Sequence, residues 1–343
     1  MENKVKLEDI VSLAKRRGFI YQGSDVYGGL SGTWDYGPLG VQLKRNIMNL
    51  WWQMFVDERA DMYGVDAAIL MNQKVWQASG HVDTFTDPLV ECSNCKGRFR
   101  ADKLDDPNKC PSCGKEGTFG EAKQFNMMFK TNVGPVFDES SISYLRPETA
   151  QGIFTNYKNV LDSFYPDLPF GIAQQGKAFR NEISPRDFVF RSREFEQMEI
   201  EYFVHPDKWE GAFEHWMEKC KEWFEALGLP SESVHELEVP EDERAHYSKR
   251  TVDFEFDYPI GREELMGLAY RTDFDLGNIQ RVSKKSMEYT IKGTNDKFIP
   301  HVIEPSFGVE RALMAVLTSA YTEDEVNGEK RVYLALAEHL APV

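Results

Sequence analysis

Several common features are scarce or missing in this chain, and each absence narrows its class. In 343 residues there are only five cysteines, too few for a disulfide-built scaffold. No apolar run approaches the ~20 residues that a membrane helix requires. The N-terminal MENKVKLEDIVSLAKRRGF reads as a short amphipathic helix with Ile10, Leu13 and Ala14 inward, not as a signal peptide. Excess positive charge is also missing. With 40 Lys and Arg against 56 Asp and Glu, the formal net charge is −16. A basic footprint over the whole surface is thereby excluded, so any nucleic-acid contact must use a local patch. There is no GxGxxG, no GKS/T and no regular βα alternation, which leaves a Rossmann or P-loop nucleotide site unsupported. Internal repeats and low-complexity tracts are absent too. The expectation is a cytoplasmic protein without a membrane segment.

What is present suits a folded protein with a large core: 41% hydrophobic and 13% aromatic residues. The length allows two or three domains, or one large domain with insertions. Four of the cysteines form Cys92-x2-Cys95 and Cys110-x2-Cys113, fourteen residues apart. Each pair can fold as a knuckle with two thiolates facing one ion, and two knuckles complete a tetrahedral zinc site. The alternatives are disulfides, which a reducing cytosol disfavours, and chance spacing. Cys220 sits within a helical stretch and reads as a small core residue.

Along the chain, LGVQLKRNIMNLWWQMFVD (39–57) places apolar residues at helical spacing. The wide, tryptophan-rich stripe faces either a core or a subunit interface. Pro147 and Glu148 precede a helix whose first turn holds Thr149 and Gln151. Residues 171–203 read as strand, loop, strand, with Glu199 and Glu201 on one side and Ile200 and Tyr202 on the other. A helix over 207–228 carries Trp209, Phe213, Trp216, Trp223 and Phe224 and closes at Gly228 and Pro230. The polar segment 231–250 reads as a surface excursion. A strand over TVDFEFDYPI follows, then a loop rich in Asp and Gly, then strand, Gly turn and helix over IEPSFGVERALMAVLTSAY. An antiparallel sheet backed by helices fits this order.

The passage GKAFRNEISPRDFVFRSREFEQMEIEYF (176–203) is crowded with both signs of charge. Arginines on a concave sheet face are costly unless they meet phosphates or carboxylates. Arg180 and Arg311, from separate segments, suggest a polyphosphate clamp, and Glu264 and Glu304 suggest oxygen ligands for magnesium. Taken one at a time, such charges are ordinary cross-strand ion pairs worth little.

Taken together they resemble a family. FRNE…FRSREFEQMEIEYF followed by EPSFGVER is similar to motifs 2 and 3 of class II aminoacyl-tRNA synthetases, and WDYGPLGVQLKRNIMNLWW to their motif 1. YGGLSGTWDYGPLG, RPETAQGIF and RTDFDL resemble the dimeric glycyl branch, and the likeness runs from about Ile10 to the C-terminus. The implied fold is α+β: a class II antiparallel sheet flanked by helices, all of 1–343 being the catalytic domain. It would carry a zinc-ribbon-like insertion at 88–122 and a helical, charged insertion at 205–250. The implied function is a glycine–tRNA ligase that uses glycine, ATP, magnesium and tRNA(Gly) and forms a homodimer.

The resemblance also implies roles. Arg180 would bridge the α-phosphate and the glycine carboxylate, and Arg311 would cover adenine and reach the γ-phosphate; both would be catalytic. The ATP set would include Asn181, Glu182 at the adenine edge, Phe190, Arg191, Ser192, Arg193, Glu194 and a stacking Phe195. Glu264, Leu265, Gly308, Val309 and Glu310 would complete it. The glycine set would be Arg100, Glu148, Phe195, Glu196, Gln197, Met198, Glu199, Glu304, Pro305, Ser306, Phe307 and Gly308. Glycine has no side chain to recognise, so selectivity must come from excluding any Cβ.

The chain departs from the family pattern at Asn72-Gln73, where Asn-Pro is usual, and at Ile279, where histidine is expected. Ser306 replaces a motif 3 glycine, as it does in the glycyl branch. The family continues past EHLAPV into an anticodon-reading domain of roughly 100 residues, so the resemblance implies a core without that domain. Two alternatives remain at this point. One is a synthetase-like protein that binds tRNA or a partner without aminoacylating. The other, a zinc-ribbon nucleic-acid module, explains only 92–113.

Overall fold

The structure, a computed structural model, describes residues 5–342, so Met1–Lys4 and Val343, the two ends of the reading above, lie outside the described residues. Its centre is a seven-stranded sheet. In chain order the strands are β1 (Met62–Gly64), β2 (Phe170–Phe179), β3 (Glu194–Val204), β4 (Val234–Glu238), β5 (Arg250–Tyr258), β6 (Gly261–Thr272) and β7 (His301–Gly308). Their order across the sheet is β4-β5-β6-β7-β3-β2-β1. Every pairing is antiparallel except β1 with β2. Among the described residues no helix is long and apolar enough to cross a membrane.

Strand alternation divides the sheet into two faces. Met198, Ile200, Tyr202 and Val204 of β3 face the larger core, beneath α2 (Pro38–Trp52), α6 (Trp209–Ala226) and α8 (Val309–Ala320). Phe203 of β3 faces the other way, onto α5 (Ala150–Phe164) and Leu276 of α7 (Phe274–Ser283). The rest of that second face is open and forms a cleft.

The tryptophan-rich stripe resolves as core. Trp51 is fully buried and meets Phe307 edge-on at 5.9 Å and Phe55 at 5.6 Å. The helical stretch continues past α2 as a π-turn over Gln53–Asp57, which brings Phe55 onto the same core. The N-terminal helix α1 (Leu7–Arg16) buries Ile10, Leu13 and Ala14 as expected.

Three readings change. The 231–250 segment is no mere surface excursion: β4 pairs with β5 as an edge strand, and its exposed Glu236 and Glu238 keep that edge polar. Residues 261–272, read as a loop, form the long strand β6, paired on both sides. Its glycines and charges hid an interior strand whose face toward the cleft has no need of apolar side chains. Thr149 lies just before α5 as its N-cap instead of inside the first turn.

Candidate active site

The cleft encloses a cavity of about 360 Å³, within the usual size of a small-molecule site. Its floor comes from alternate residues of two neighbouring strands: Phe195, Gln197 and Glu199 of β3, and Glu304, Ser306 and Gly308 of β7. The residues between them face the opposite core. Met198 is buried there, Phe307 packs on Trp51, and Glu196 pairs with Lys44 of α2. Glu196, Met198, Pro305 and Phe307 therefore do not line the cleft. A contiguous run of strand residues cannot all reach one ligand.

At one end stand carboxylates. Glu199 accepts hydrogen bonds from the Thr149 backbone N–H (2.9 Å), the Thr149 hydroxyl, Ser306 Oγ (2.7 Å) and Gln197 Nε2 (3.0 Å). Its position at the N-terminus of α5 adds dipole support. Glu304 accepts from Arg271 Nη1 at 2.7 Å, and Arg271 also forks onto Asp275 at 2.8 and 3.0 Å. Glu148 lies 3.4 Å from His81 Nε2. Arg271 is 1% exposed and sits 3.8 Å from the ring centre of Tyr247. The sequence reading assigned Arg271 and Asp275 no role. Their i,i+4 spacing in RTDFD was the available signal.

The burial of so many acids splits their proton affinities. Burial raises Glu148, but His81, Arg271 and Arg180 outweigh it and hold the carboxyl at about 2. Burial raises Glu304, and although Arg271 opposes it, the neighbouring Glu199 and Glu148 help carry it to about 8. Glu201, fully buried with neither oxygen hydrogen-bonded, is pushed well above the carboxylate range by burial and then by Glu304.

Toward the other end lie the arginines. Arg180 follows β2 and donates from Nε to the Pro147 carbonyl at 3.0 Å, with its guanidinium 5.3 Å from the Phe195 ring centre. Among the described residues no carboxylate pairs with it. Arg311, in the first turn of α8, is 3.1 Å from Glu264 Oε2 and 4.6 Å from the Phe190 ring centre. Arg191 is 3.6 Å from Glu182. Glu182, Phe190, Arg191, Ser192, Glu264, Leu265, Gly308, Glu310 and Arg311 all line the cleft. A register shift in the β5–β6 pairing puts both Glu264 and Leu265 there.

Other expected residues point elsewhere. Arg193 donates to the carbonyls of Ser31 (2.7 Å) and Glu182 (3.0 and 3.3 Å), so it holds loops together and does not line the cleft. Asn181 is tied through its backbone to Met127, Glu194 pairs with Lys177, and Val309 is buried in the core. Arg100 is engaged by Asp87 (2.9 Å) and Asp102 (2.7 Å), beside the cleft rather than in it. Glu264 and Glu304 cannot share one ion. Glu304 pairs with Ala269 on β6, five residues from Glu264, which is roughly 16 Å of strand. Unforeseen wall residues come from the segment between β4 and β5, including Glu243, Arg244 and Tyr247.

Outside the cleft, the Sγ atoms of Cys92, Cys95, Cys110 and Cys113 all lie within 4.8 Å of one another. Cys92–Cys113 is 3.8 Å and Cys95–Cys110 is 3.6 Å, close to the edges of a tetrahedron with metal–sulfur bonds of about 2.3 Å. The four thiols fit a single metal ion.

Comparison with known proteins agrees with this geometry. A family model described as the tRNA synthetase class II core domain (G, H, P, S and T) matches residues 129–320. The glycine–tRNA ligase of Thermobifida fusca is 48% identical over 98% of this chain and 78% of its own length. Those of Caldanaerobacter subterraneus and Borrelia hermsii are each 47% identical, covering 100% and 98% of this chain and 80% and 77% of theirs. The chain belongs to the glycine–tRNA ligase family. It is therefore an aminoacyl-tRNA synthetase of class II, and its antiparallel sheet is the core of that class.

The acid cluster makes a thermodynamic prediction for this synthetase. Glu304 keeps its proton in the fold at pH values where the unfolded chain loses it. Its contribution is therefore full below about pH 4.5 and falls as pH rises toward about 8. Glu304→Gln should reduce that fall, by up to about 5 kcal/mol over the interval. Urea unfolding midpoints measured across this range decide it; an unchanged slope in the variant would be the contrary result.

Proposed function

We propose that this chain activates glycine with ATP and transfers the glycyl group to the 3′ end of tRNA(Gly), with the cleft as its active site. The observation that carries this reading is Arg180, a guanidinium with no carboxylate partner among the described residues, set between the acid-lined end and the Arg311 end. The Glu148, Glu199 and Glu304 end suits the ammonium of glycine. The Phe195, Glu182 and Arg311 end suits the base and phosphates of ATP. In the first step a glycine carboxylate oxygen bonds to the α-phosphorus and the bond to pyrophosphate breaks. In the second, a ribose hydroxyl of the tRNA attacks the carbonyl carbon and AMP leaves.

The attacking carboxylate is already ionised, so the first step needs no general base. Its acceleration is positioning plus stabilisation of phosphate charge. Arg180 would hold both reacting groups at once. Magnesium, when bound, would supply further charge neutralisation on the phosphates, and Glu264 stands at that end of the cleft. Ser306 and Glu199, locked to each other, leave little room beside the amino acid's α-carbon, which supports selection for glycine. No observation favours a protein that binds without aminoacylating.

The four-cysteine group we read as a structural zinc site, because four thiolates leave no open position for water. A cytoplasmic setting, where thiols stay reduced, fits it. A symmetric dimer belongs to the same reading: α2 resembles motif 1, and Val26 and Tyr27 add exposed apolar surface.

The test of activity is glycine-dependent exchange of pyrophosphate into ATP. Arg180→Ala should lower it by at least about 10²–10³-fold; no exchange with glycine and magnesium in the unaltered protein would sink the reading. Elemental analysis should find one zinc per chain, and protein purified without chelators that holds none would refute the metal assignment. Light scattering should give twice the 39.5 kDa chain mass; a monomer at micromolar concentration would contradict the dimer.

A further inference from the structure

His81 does not line the cleft, yet it is held with unusual care. It follows Gly80, whose φ of +86° turns the chain sharply into the short helix α4 (His81–Thr84). The ring lies between Trp76 of α3 (Gln73–Ala78) and Phe85, each 5.4 Å away between centres. Nδ1 is 2.8 Å from Ser79 Oγ, and Nε2 is 3.4 Å from Glu148 Oε2. From outside, Asn126 donates to the carbonyls of His81 and Val82 at 3.1 and 2.8 Å. Asn126 ends a strand (Lys123–Asn126) of the small sheet that adjoins the four cysteines.

We propose that His81 is a positioning residue for the amino-acid end of the cleft, holding the Glu148 carboxylate toward the ammonium of glycine. The inference rests on the reading of Glu148 as part of the glycine site. An ionised carboxylate only accepts hydrogen bonds, so the proton of this contact sits on Nε2 whether the ring is neutral or charged. Ser79 serves both states: its hydroxyl donates to a neutral ring, or accepts from a charged ring while turning toward the Trp76 carbonyl, 3.4 Å away.

Glu148 has one other side-chain donor among the described residues, Gln151 Nε2 at 3.3 Å. Without His81 a buried carboxylate would keep only one of these two side-chain donors, and it would then take a proton or turn away. Either change weakens attraction for an ammonium. Glycine offers little else to hold, whereas ATP is gripped by Arg180 and Arg311, which His81 does not touch. Loss of His81 should therefore separate the two substrates.

The experiment is pyrophosphate exchange with glycine and ATP varied in turn. Glycine binding is also measured by calorimetry. His81→Leu should raise KM for glycine at least about tenfold, with KM for ATP and kcat within about twofold. His81→Gln keeps an N–H of similar reach and should return KM for glycine to within about threefold of the unaltered protein. His81→Asn, too short to reach Glu148, should behave like His81→Leu, so the test survives if the leucine variant does not fold. An unchanged KM for glycine in folded His81→Leu or His81→Asn overturns the inference. So does an equal rise in KM for ATP, or a glutamine variant no better than leucine. If the unaltered protein neither exchanges nor binds glycine, the reading of the cleft falls and takes this inference with it. An active protein with indifferent His81 variants removes the inference alone.

Discussion

The buried guanidinium of Arg271 is the contact on which the rest of the cleft depends. Glu148, Glu199, Glu201, Asp275 and Glu304 are all at most 9% exposed and share one region of the sheet. Taking that many carboxylates out of water is prohibitive without compensation. Arg271 supplies it in part, spending both sides of its fork on Asp275 and one nitrogen on Glu304. One fixed positive charge does not balance five acids, so the remainder is settled by protons on Glu201 and Glu304 and by hydrogen bonds to Glu199. The result is a concave site lined at one end by carboxylates, the surroundings we propose for an amino acid's ammonium.

The same economy explains why the sheet carries its chemistry on every second residue. The period-two reading of β3 already separated Glu199 from Ile200, and the hydrophobic face then had to meet helices. That part of the site was legible because alternation is a rule of the backbone. It was applied too loosely at Glu196, Met198, Pro305 and Phe307, which follow the family's contiguous motifs but face the core. The cysteine spacing was legible for a similar reason, since two close pairs leave little freedom in how four thiols can meet.

Other parts needed the folded chain. Strand β6 was hidden because its cleft-facing positions include Gly267 and Ala269, small residues that make room for ligand and look like a loop in sequence. The wall formed by 239–247 has no local pattern, because its role comes from the register of β4 beside β5. Arg193 resembled a phosphate ligand by its place in motif 2, yet its guanidinium is already held by two backbone carbonyls through three hydrogen bonds. Only distance distinguishes an arginine that binds substrate from one that braces a loop. Conversely, Arg271 drew no notice because a lone arginine in a stretch read as loop passes for an ordinary surface charge until its burial is known.

That bracing ties together segments far apart in the chain. The loop between β2 and β3 receives Gly32 and Ser31 on one side, where Arg193 N–H donates to the Gly32 carbonyl at 2.7 Å. A Cβ at Gly32 would come within 2.5 Å of Pro185, and its φ is +75°, so only glycine allows this approach. On another side, Ser184 Oγ donates to the Arg98 carbonyl at 3.2 Å, and Asn181 N–H to the Met127 carbonyl at 2.7 Å. The glycine-rich N-terminal loop and the cysteine module thus both hold the loop that follows Arg180. A guanidinium with the role we propose, meeting two substrates at once, needs this support, because a displacement of about 1 Å at such a group costs roughly 10²-fold in rate. The segments most distant from the chemistry in sequence are, on this account, what keeps Arg180 in register with it.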